Sequence, residues 1–169
     1  MSTTETSARL TPALLSALAE RSDVTVPTPA MMALPEKAVQ FGTGAFLRGF
    51  VDFFLDAANA QGQFNGRVVV VGSTGSGRDQ AFGEQSGLYT LVERGLVDGR
   101  PHESVRVVGA VSRALSAQQE WEQVLACARN PQLSLVFSNT TEVGLTFDPG
   151  DTADAVAPRA FPGQLTRVL

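Results

Sequence analysis

The stretch AVQFGTGAFLRGF, residues 38–50, decides how this chain folds. A short apolar run (38–41) leads into a turn with glycine at positions 42 and 44, called here the glycine turn (residues 42–44). The run RVVVV (67–71) has no polar alternation, which is typical of a strand buried on both faces of a parallel sheet. Residues 45–60 between them predict a helix whose apolar face is formed by Phe46, Phe50, Phe53, Phe54 and Ala57.

The remainder of the chain continues this alternation of strand and helix. Strands separated by helical crossovers predict a mainly parallel sheet with flanking helices and right-handed connections. The further predicted elements are two strands (88–97 and 105–111) around a turn at Asp98 and Gly99, a helix from the capping box Ser116 and Gln119 to Arg129, a strand (133–137), and the start of a helix at Leu165.

Residues 1–36 are predicted to form an N-terminal extension, and residues 37–169 the α/β domain, incomplete at its C-terminal end. Within the extension, Thr11 and Pro12 predict the start of a short helix that ends near Arg21. Three prolines in residues 24–35 predict an extended lead-in to the first strand of the domain.

Composition excludes several classes of protein. Hydrophobic residues make up 43% of the chain and charged residues 18%, which is enough for a packed core. A net charge of -4 and the absence of any basic run argue against a nucleic-acid partner. One cysteine and one histidine exclude a disulfide framework and multi-histidine zinc sites, so no metal is expected. No apolar run reaches membrane-spanning length and no secretion signal is recognisable, so a cytoplasmic location is expected.

The glycine turn lies between a predicted strand and a predicted helix, where α/β folds bind the pyrophosphate of a dinucleotide. Gly42 would permit the tight turn, and Gly44 would let the backbone approach the phosphates. The helix adds free N–H groups and a partial positive charge, and Arg48 adds a full one. Leu47 replaces the third glycine of the usual pattern. The spacing alone fits an ordinary tight turn equally well, but its context favours a Rossmann-like dinucleotide site.

The type of nicotinamide cofactor stays open on spacing. The acid that usually follows the second strand is replaced by GSTG, residues 72–75. Asp79 is a candidate for a ribose hydroxyl and Arg78 for a 2′-phosphate. Both residues are explained equally well as solvated loop charges.

The other candidate residues each have a structural explanation as well. His102 is predicted in a turn beside the hairpin loop, on the surface, and Cys127 as an inert buried thiol. Asp52 and Asp56, spaced i, i+4, predict a solvated helix face rather than an acid pair. Residues 138–142 follow the carboxyl end of a strand, where open α/β sheets bind ligands, but they also fit an ordinary polar strand exit.

Four stretches, in this order along the chain, resemble segments of the mannitol dehydrogenase family, which includes tagaturonate reductases (altronate oxidoreductases) and fructuronate reductases. The form SNTTE leans toward the tagaturonate reductases, whereas the N-terminal helix and proline segment are more similar to the mannitol and fructuronate branch. The four stretches are VQFGTGAFLRGF (39–50), SGLYTL (86–91), NPQLSLVFSNTTEVG (130–144) and FPGQLTR (161–167).

The resemblance implies NAD-linked hydride transfer between a ketose or keto sugar acid and its alcohol, with NADP as the alternative cofactor. It implies that residues 42–48 bind the pyrophosphate and that residues 138–141 lie near the nicotinamide. The cofactor-binding residues implied in this way are Val39, Gln40, Phe41, Gly42, Thr43, Gly44, Ala45, Phe46, Leu47 and Arg48, together with Ser138, Asn139 and Thr140.

The family's catalytic lysine, asparagine and histidine belong to a long helical C-terminal domain, and no segment of this chain resembles that domain. The only lysine, Lys37, precedes the first predicted strand of the domain. We therefore expect the chain to hold the cofactor and to lack dehydrogenase activity by itself. A stand-alone nucleotide-binding module and an inactive fragment are the two alternatives.

Overall fold

The computed structural model describes residues 9–72, 83–152 and 156–169. Its strands are β1 (Val24–Thr25), β2 (Glu36–Phe41), β3 (Arg67–Gly72), β4 (Tyr89–Val97), β5 (Arg100–Val108), β6 (Val111–Ser116) and β7 (Leu135–Ser138). Its α-helices are α1 (Leu15–Ala19), α2 (Pro29–Met32), α3 (Ala45–Leu47), α4 (Phe53–Ala60), α5 (Trp121–Ala128) and α6 (Phe161–Val168). A π-helical segment, Arg48–Asp52, joins α3 to α4, and 3-10 turns cover Pro12–Leu14 and Glu142–Leu145.

The main sheet has four parallel strands in the order β6-β3-β2-β7. Counted along the chain within this sheet, the order is third, second, first, fourth, which is the order at the start of the Rossmann fold. All six residues of β3 are buried, and among them are the four valines whose apolar run predicted a buried strand. The prediction of a Rossmann-like, mainly parallel α/β fold is confirmed.

The strand predicted over residues 105–111 is in fact divided between two sheets. β5 ends at Val108, and β6 begins at Val111 beside β3. Gly109 lies at the break, where an added Cβ would stand 2.7 Å from the Pro27 side chain. The division depends on this tight passage under the N-terminal region, which the local sequence does not reveal.

A second sheet has the order β1-β5-β4. β4 and β5 form the predicted hairpin, and Asp98 and Gly99 both have positive φ, at 51° and 75°, as a tight two-residue turn requires. The prediction that His102 lies in a turn is wrong, because it is exposed within β5, opposite Gly95. The strand begins at Arg100, directly after the two-residue turn.

The N-terminal region packs against this second sheet. The short helix predicted after Thr11 is present, as Pro12–Leu14 and α1, and Leu15 is buried in one cluster with Leu88 and Val107. The extended lead-in was only partly correct, since α2 interrupts it. Thr28 caps α2 by accepting a hydrogen bond from Met31 N–H at 3.2 Å.

The capping box predicted at Ser116 and Gln119 is wrong. Ser116 is the last residue of β6, and the helix α5 begins five residues later at Trp121. The Ser116 N–H donates instead to the Glu120 carboxylate at 2.9 Å. Pairing of β6 with β3 therefore extends through the residue that the local pattern assigned to the helix cap.

Candidate functional site

The strand order of the main sheet reverses between β2 and β7. β3 and β6 follow β2 on one side of it, whereas β7, the last strand, lies on its other side. Such a switch point opens a crevice outside the carboxyl ends of the two strands, where open α/β sheets bind ligands. β2 and β7 pair in parallel, with Phe41 opposite Ser138. The structure therefore brings together the two stretches that the sequence analysis singled out, the residues after Phe41 and the residues after Ser138.

The glycine turn leaves β2 at this crevice in a conformation that requires glycine. Gly42 has φ of +109°, which residues with a Cβ rarely adopt. Its N–H donates to Val71 O at 2.9 Å, and its carbonyl accepts from Gln40 Nε2 at 2.8 Å. The turn is thus fixed on both sides by the sheet.

Gly44 has a different role, since its φ of -69° is available to any residue. It is exposed, and an added Cβ would meet nothing within 4 Å. The space beside it is therefore open to a ligand that approaches the backbone closely. It also precedes α3, the start of the helix that would face an anion.

Arg48 is held by the turn rather than extended into solvent. Its guanidinium donates to the carbonyl of Thr43, and its own carbonyl accepts from the Tyr89 hydroxyl at 2.7 Å. Burial and the nearby carboxyl groups of Asp52 and Asp56 raise the pKa of Tyr89. The cation predicted beside the glycine turn is present and is linked to the hairpin by Tyr89.

The helix over residues 45–60 exposes the face that was predicted to be its apolar core. Phe46, Phe50 and Phe54 are 55%, 50% and 58% exposed, and their rings contact one another along the helix. The opposite stripe is buried instead: Asp52, Asp56 and Asn59 are at most 7% exposed. The prediction of a solvated acidic face is therefore wrong.

The two buried acids differ in their hydrogen bonds. Asp56 accepts from Gly109 N–H at 2.9 Å and from Arg106 at 3.3 Å, and these partners oppose the burial that raises its pKa. Burial raises the pKa of Asp52 to about 7, whereas the side-chain amide of Gln40 and the charge of Arg48 act to lower this pKa. The i, i+4 spacing was the signal for this pair, but it does not say which face of a helix is buried.

The residues after β7 follow the carboxyl end of that strand, beside the end of β2. Ser138 and Asn139 are exposed, and the Thr140 hydroxyl donates to the Ser138 hydroxyl at 3.3 Å. The chain then forms the 3-10 turn Glu142–Leu145, near which three large apolar side chains are exposed. These are Val143 (83%), Leu145 (58%) and Phe147 (77%).

Several candidate residues lie away from the crevice or cannot be assigned to it. Lys37 is in β2, at its amino end, and His102 is in the hairpin. Cys127 lies in α5 and is buried in the core, and burial raises the pKa of its thiol, as expected of an inert cysteine. Arg78 and Asp79 lie outside the described residues.

Residues 9–72, 83–152 and 156–169 contain neither a metal-binding cluster nor a membrane-spanning helix. No group of three or more His, Cys, Asp or Glu side chains in these ranges is arranged to hold a metal ion. No helix in these ranges is long and apolar enough to cross a membrane.

We expect Gly42→Ala to lower the free energy of unfolding by about 1–3 kcal/mol, because alanine is strained at positive φ. The added Cβ would lie 3.7 Å from Leu47 Cδ1, an ordinary contact, so the loss would be conformational rather than steric. Urea denaturation measures it, with Gly44→Ala as the matched control because Gly44 has ordinary φ. Equal stability of the two variants would contradict the conformation assigned to Gly42.

Comparison with known proteins now gives the family. A model of the mannitol dehydrogenase Rossmann domain matches residues 36–168. The chain belongs to this family. The mannitol dehydrogenase family was also the one that the four sequence stretches resembled, and that prediction is confirmed.

Relatives within the mannitol dehydrogenase family are considerably longer than this chain. An altronate oxidoreductase of Halalkalibacterium halodurans is 43% identical over 137 residues, which are 80% of this chain and 27% of that protein. An altronate oxidoreductase of Klebsiella pneumoniae is 38% identical over 136 residues, 80% of this chain and 28% of that protein. The chain thus spans little more than a quarter of the length of these curated relatives.

A solved mannitol 2-dehydrogenase shares the fold of this chain. Mannitol 2-dehydrogenase of Pseudomonas fluorescens, solved as a ternary complex with NAD and D-mannitol, superposes with a TM-score of 0.80 at 22% identity. The match covers 95% of this chain and 35% of that one. A D-sorbitol dehydrogenase in substrate-free form gives 0.77 at 24% identity, with the same coverage.

Proposed function

We propose that this chain binds the pyrophosphate of NAD at residues 42–48, as the cofactor-binding part of a sugar-acid oxidoreductase. The observation that carries the proposal is the glycine turn at the switch point, with open space beside Gly44. A phosphate group can approach the backbone there without meeting a side chain, and the following helix presents its N-terminus to it.

The residues proposed to hold NAD form two walls of one crevice. The first comprises residues 39–48. Val39 and Phe41, which precede the turn, are buried and anchor it in the core. The second comprises Ser138, Asn139 and Thr140, whose polar groups would lie toward the nicotinamide. NAD would supply the hydride acceptor, and the protein side chains would orient it and exclude water.

The substrate type proposed for the complete enzyme is a sugar acid of the tagaturonate and altronate type. The identity of 43% to a protein named altronate oxidoreductase supports this choice over fructuronate or mannitol. NAD is proposed over NADP, since the solved mannitol 2-dehydrogenase contains NAD.

The second candidate function concerns the isolated chain, which we propose binds the cofactor but does not turn over a substrate. The single lysine and single histidine both lie away from the crevice, at the amino end of β2 and in the hairpin. General acid–base catalysis needs a group within hydrogen-bond reach of the reacting carbonyl. Tyr89 already donates its hydroxyl proton to a backbone carbonyl.

Titration of the chain with NADH tests the proposal. We expect NADH fluorescence to rise with saturation below about 1 mM, ADP-ribose to compete, and NADPH to bind more weakly. Adenosine, which lacks the pyrophosphate, should compete poorly. Absence of binding at millimolar NADH would overturn the proposal, and oxidation of NADH by added tagaturonate would overturn the second candidate.

A further inference from the structure

A buried polar pair lies directly beneath the glycine turn. Gln40 of β2 and Asp52 of the π-helical segment are both 0% exposed. Among the described residues, none forms a hydrogen bond with Gln40 Oε1 or with either carboxyl oxygen of Asp52. The cluster therefore contains three buried acceptor oxygens that lack a donor.

A proton on Asp52 supplies the donor that this cluster lacks. An ionised carboxylate only accepts hydrogen bonds, whereas a protonated one also donates. Burial raises the pKa of Asp52 to about 7, although the nearby Gln40 amide, which donates to the Gly42 carbonyl, and the charge of Arg48 oppose this rise. Asp56, one turn further along the helix, has two donors of its own and so does not need a proton.

Gln40 connects this pair to the turn by a hydrogen bond, and Asp52 lies on the helix that follows the turn. Gln40 Nε2 holds the Gly42 carbonyl at 2.8 Å. Arg48, on the same helix as Asp52, holds the Thr43 carbonyl, and Tyr89 from β4 holds the Arg48 carbonyl. Among the described residues, the charged and titratable groups around Asp52 are Arg48, Tyr89 and Asp56, and Asp56 binds Arg106 of β5.

We propose that Asp52 is a positioning residue that supports the glycine turn as a neutral acid, and that its ionisation weakens the binding of a pyrophosphate group there. An ionised Asp52 would add negative charge beneath a turn that must hold an anion, and would compete for Arg48. The inference rests on the proposed function, because it concerns the same dinucleotide site.

The protonation state of Asp52 can be tested without any cofactor. An acid whose pKa is raised on folding stabilises the folded state at low pH. This contribution is lost as the pH rises from the pKa of the unfolded state to the pKa of the folded state. Wild-type stability should therefore fall, relative to Asp52→Asn, as the pH rises from about 4 to 7, and the difference should level off above pH 7. Urea midpoints between pH 4 and 9 measure it. A difference that does not change with pH would overturn the neutral-acid assignment.

The effect on binding is tested with NADH and ADP-ribose at pH 6 and pH 8.5. We expect wild-type affinity to be about tenfold weaker at the higher pH, the effect of one unit of pKa coupling. Asp52→Asn, which is neutral at both pH values, should bind equally well at both, with the affinity of the wild type at pH 6. Any pH dependence that remains in Asp52→Asn would come from groups other than Asp52.

Asp98→Asn is the matched control, since it makes the same substitution at an exposed hairpin position where asparagine tolerates the positive φ. It should keep the wild-type pH profile. Wild-type binding that is independent of pH, or Asp52→Asn binding that is weak at both pH values, would overturn this inference alone. No wild-type binding at either pH would overturn the proposed function and the binding half of this inference, and the urea profiles would still decide the protonation state.

Discussion

Arg67→Met should lower the free energy of unfolding by at least about 3 kcal/mol, because each buried group left without its hydrogen-bond partner costs about 1–3 kcal/mol. Arg67 is 8% exposed and donates to three backbone carbonyls. These belong to Met32 at 2.9 Å, Gly109 at 3.1 Å and Val111 at 2.5 Å. Methionine fills similar volume but leaves all three carbonyls without their donor.

The effect should be large because Arg67 joins three separate parts of the fold. It connects the first residue of β3 to the N-terminal region at Met32 and to the passage between β5 and β6. Fluorescence of Trp121, the only tryptophan, follows unfolding in urea.

Arg94→Met is the control for Arg67→Met. Arg94 pairs with Glu103 on the exposed hairpin, where an ion pair contributes little, so this variant should unfold close to wild type. A loss below about 1 kcal/mol in Arg67→Met, within the effect of ordinary surface substitutions, would contradict the network.

Gly44→Val should weaken NADH binding by at least about 100-fold, or about 2.7 kcal/mol, while the protein keeps its fold. A valine at Gly44 has ordinary φ and open space around its Cβ, so the free protein accommodates it. The same space is where the pyrophosphate would approach the backbone, so the branched side chain would exclude it. NADH titration measures the loss, and circular dichroism and a urea midpoint check the fold.

Gly95→Val provides the matched control for Gly44→Val. Gly95 lies in β4, an added Cβ there also meets nothing within 4 Å, and valine suits a strand. This variant should bind NADH as the wild type does. Unchanged affinity in a folded Gly44→Val variant would remove the glycine turn from the cofactor site, whatever other residues bind NADH.

Local patterns predicted the elements that build the crevice. The valine run predicted β3, the run before Gly42 predicted β2, and the residues around Phe137 predicted β7, because each run is mostly apolar and this can be seen without reference to distant residues. The two-residue turn at Asp98 and Gly99 likewise depends only on local φ preferences. From these elements a mainly parallel sheet follows, whereas its strand order, and with it the switch point, depends on pairing between strands that are distant in sequence.

The cap at Ser116 shows why local patterns failed elsewhere. The sequence offered a good capping box, but the backbone of Ser116 is used by the pairing of β6 with β3. Hydrogen bonds in a sheet depend on a partner that is distant in sequence. The division between β5 and β6 was missed for the same reason.

By itself, the sequence determined the family, the strand-turn-helix-strand unit and the glycine positions of its turn. Only the tertiary structure decided which face of the helix over residues 45–60 is buried. Two stripes on this helix have the same helical periodicity: an aromatic one with Phe46, Phe50 and Phe54, and an acidic one with Asp52 and Asp56. Hydrophobicity alone therefore favoured burial of the aromatic stripe. The Gly109 N–H lies under this helix and donates to Asp56. A buried N–H without an acceptor costs free energy, and the acceptor for Gly109 is Asp56, 53 positions away in sequence. Arg106 also pairs with Asp56. These two partners favour burial of the acidic stripe, which leaves the aromatic rings exposed.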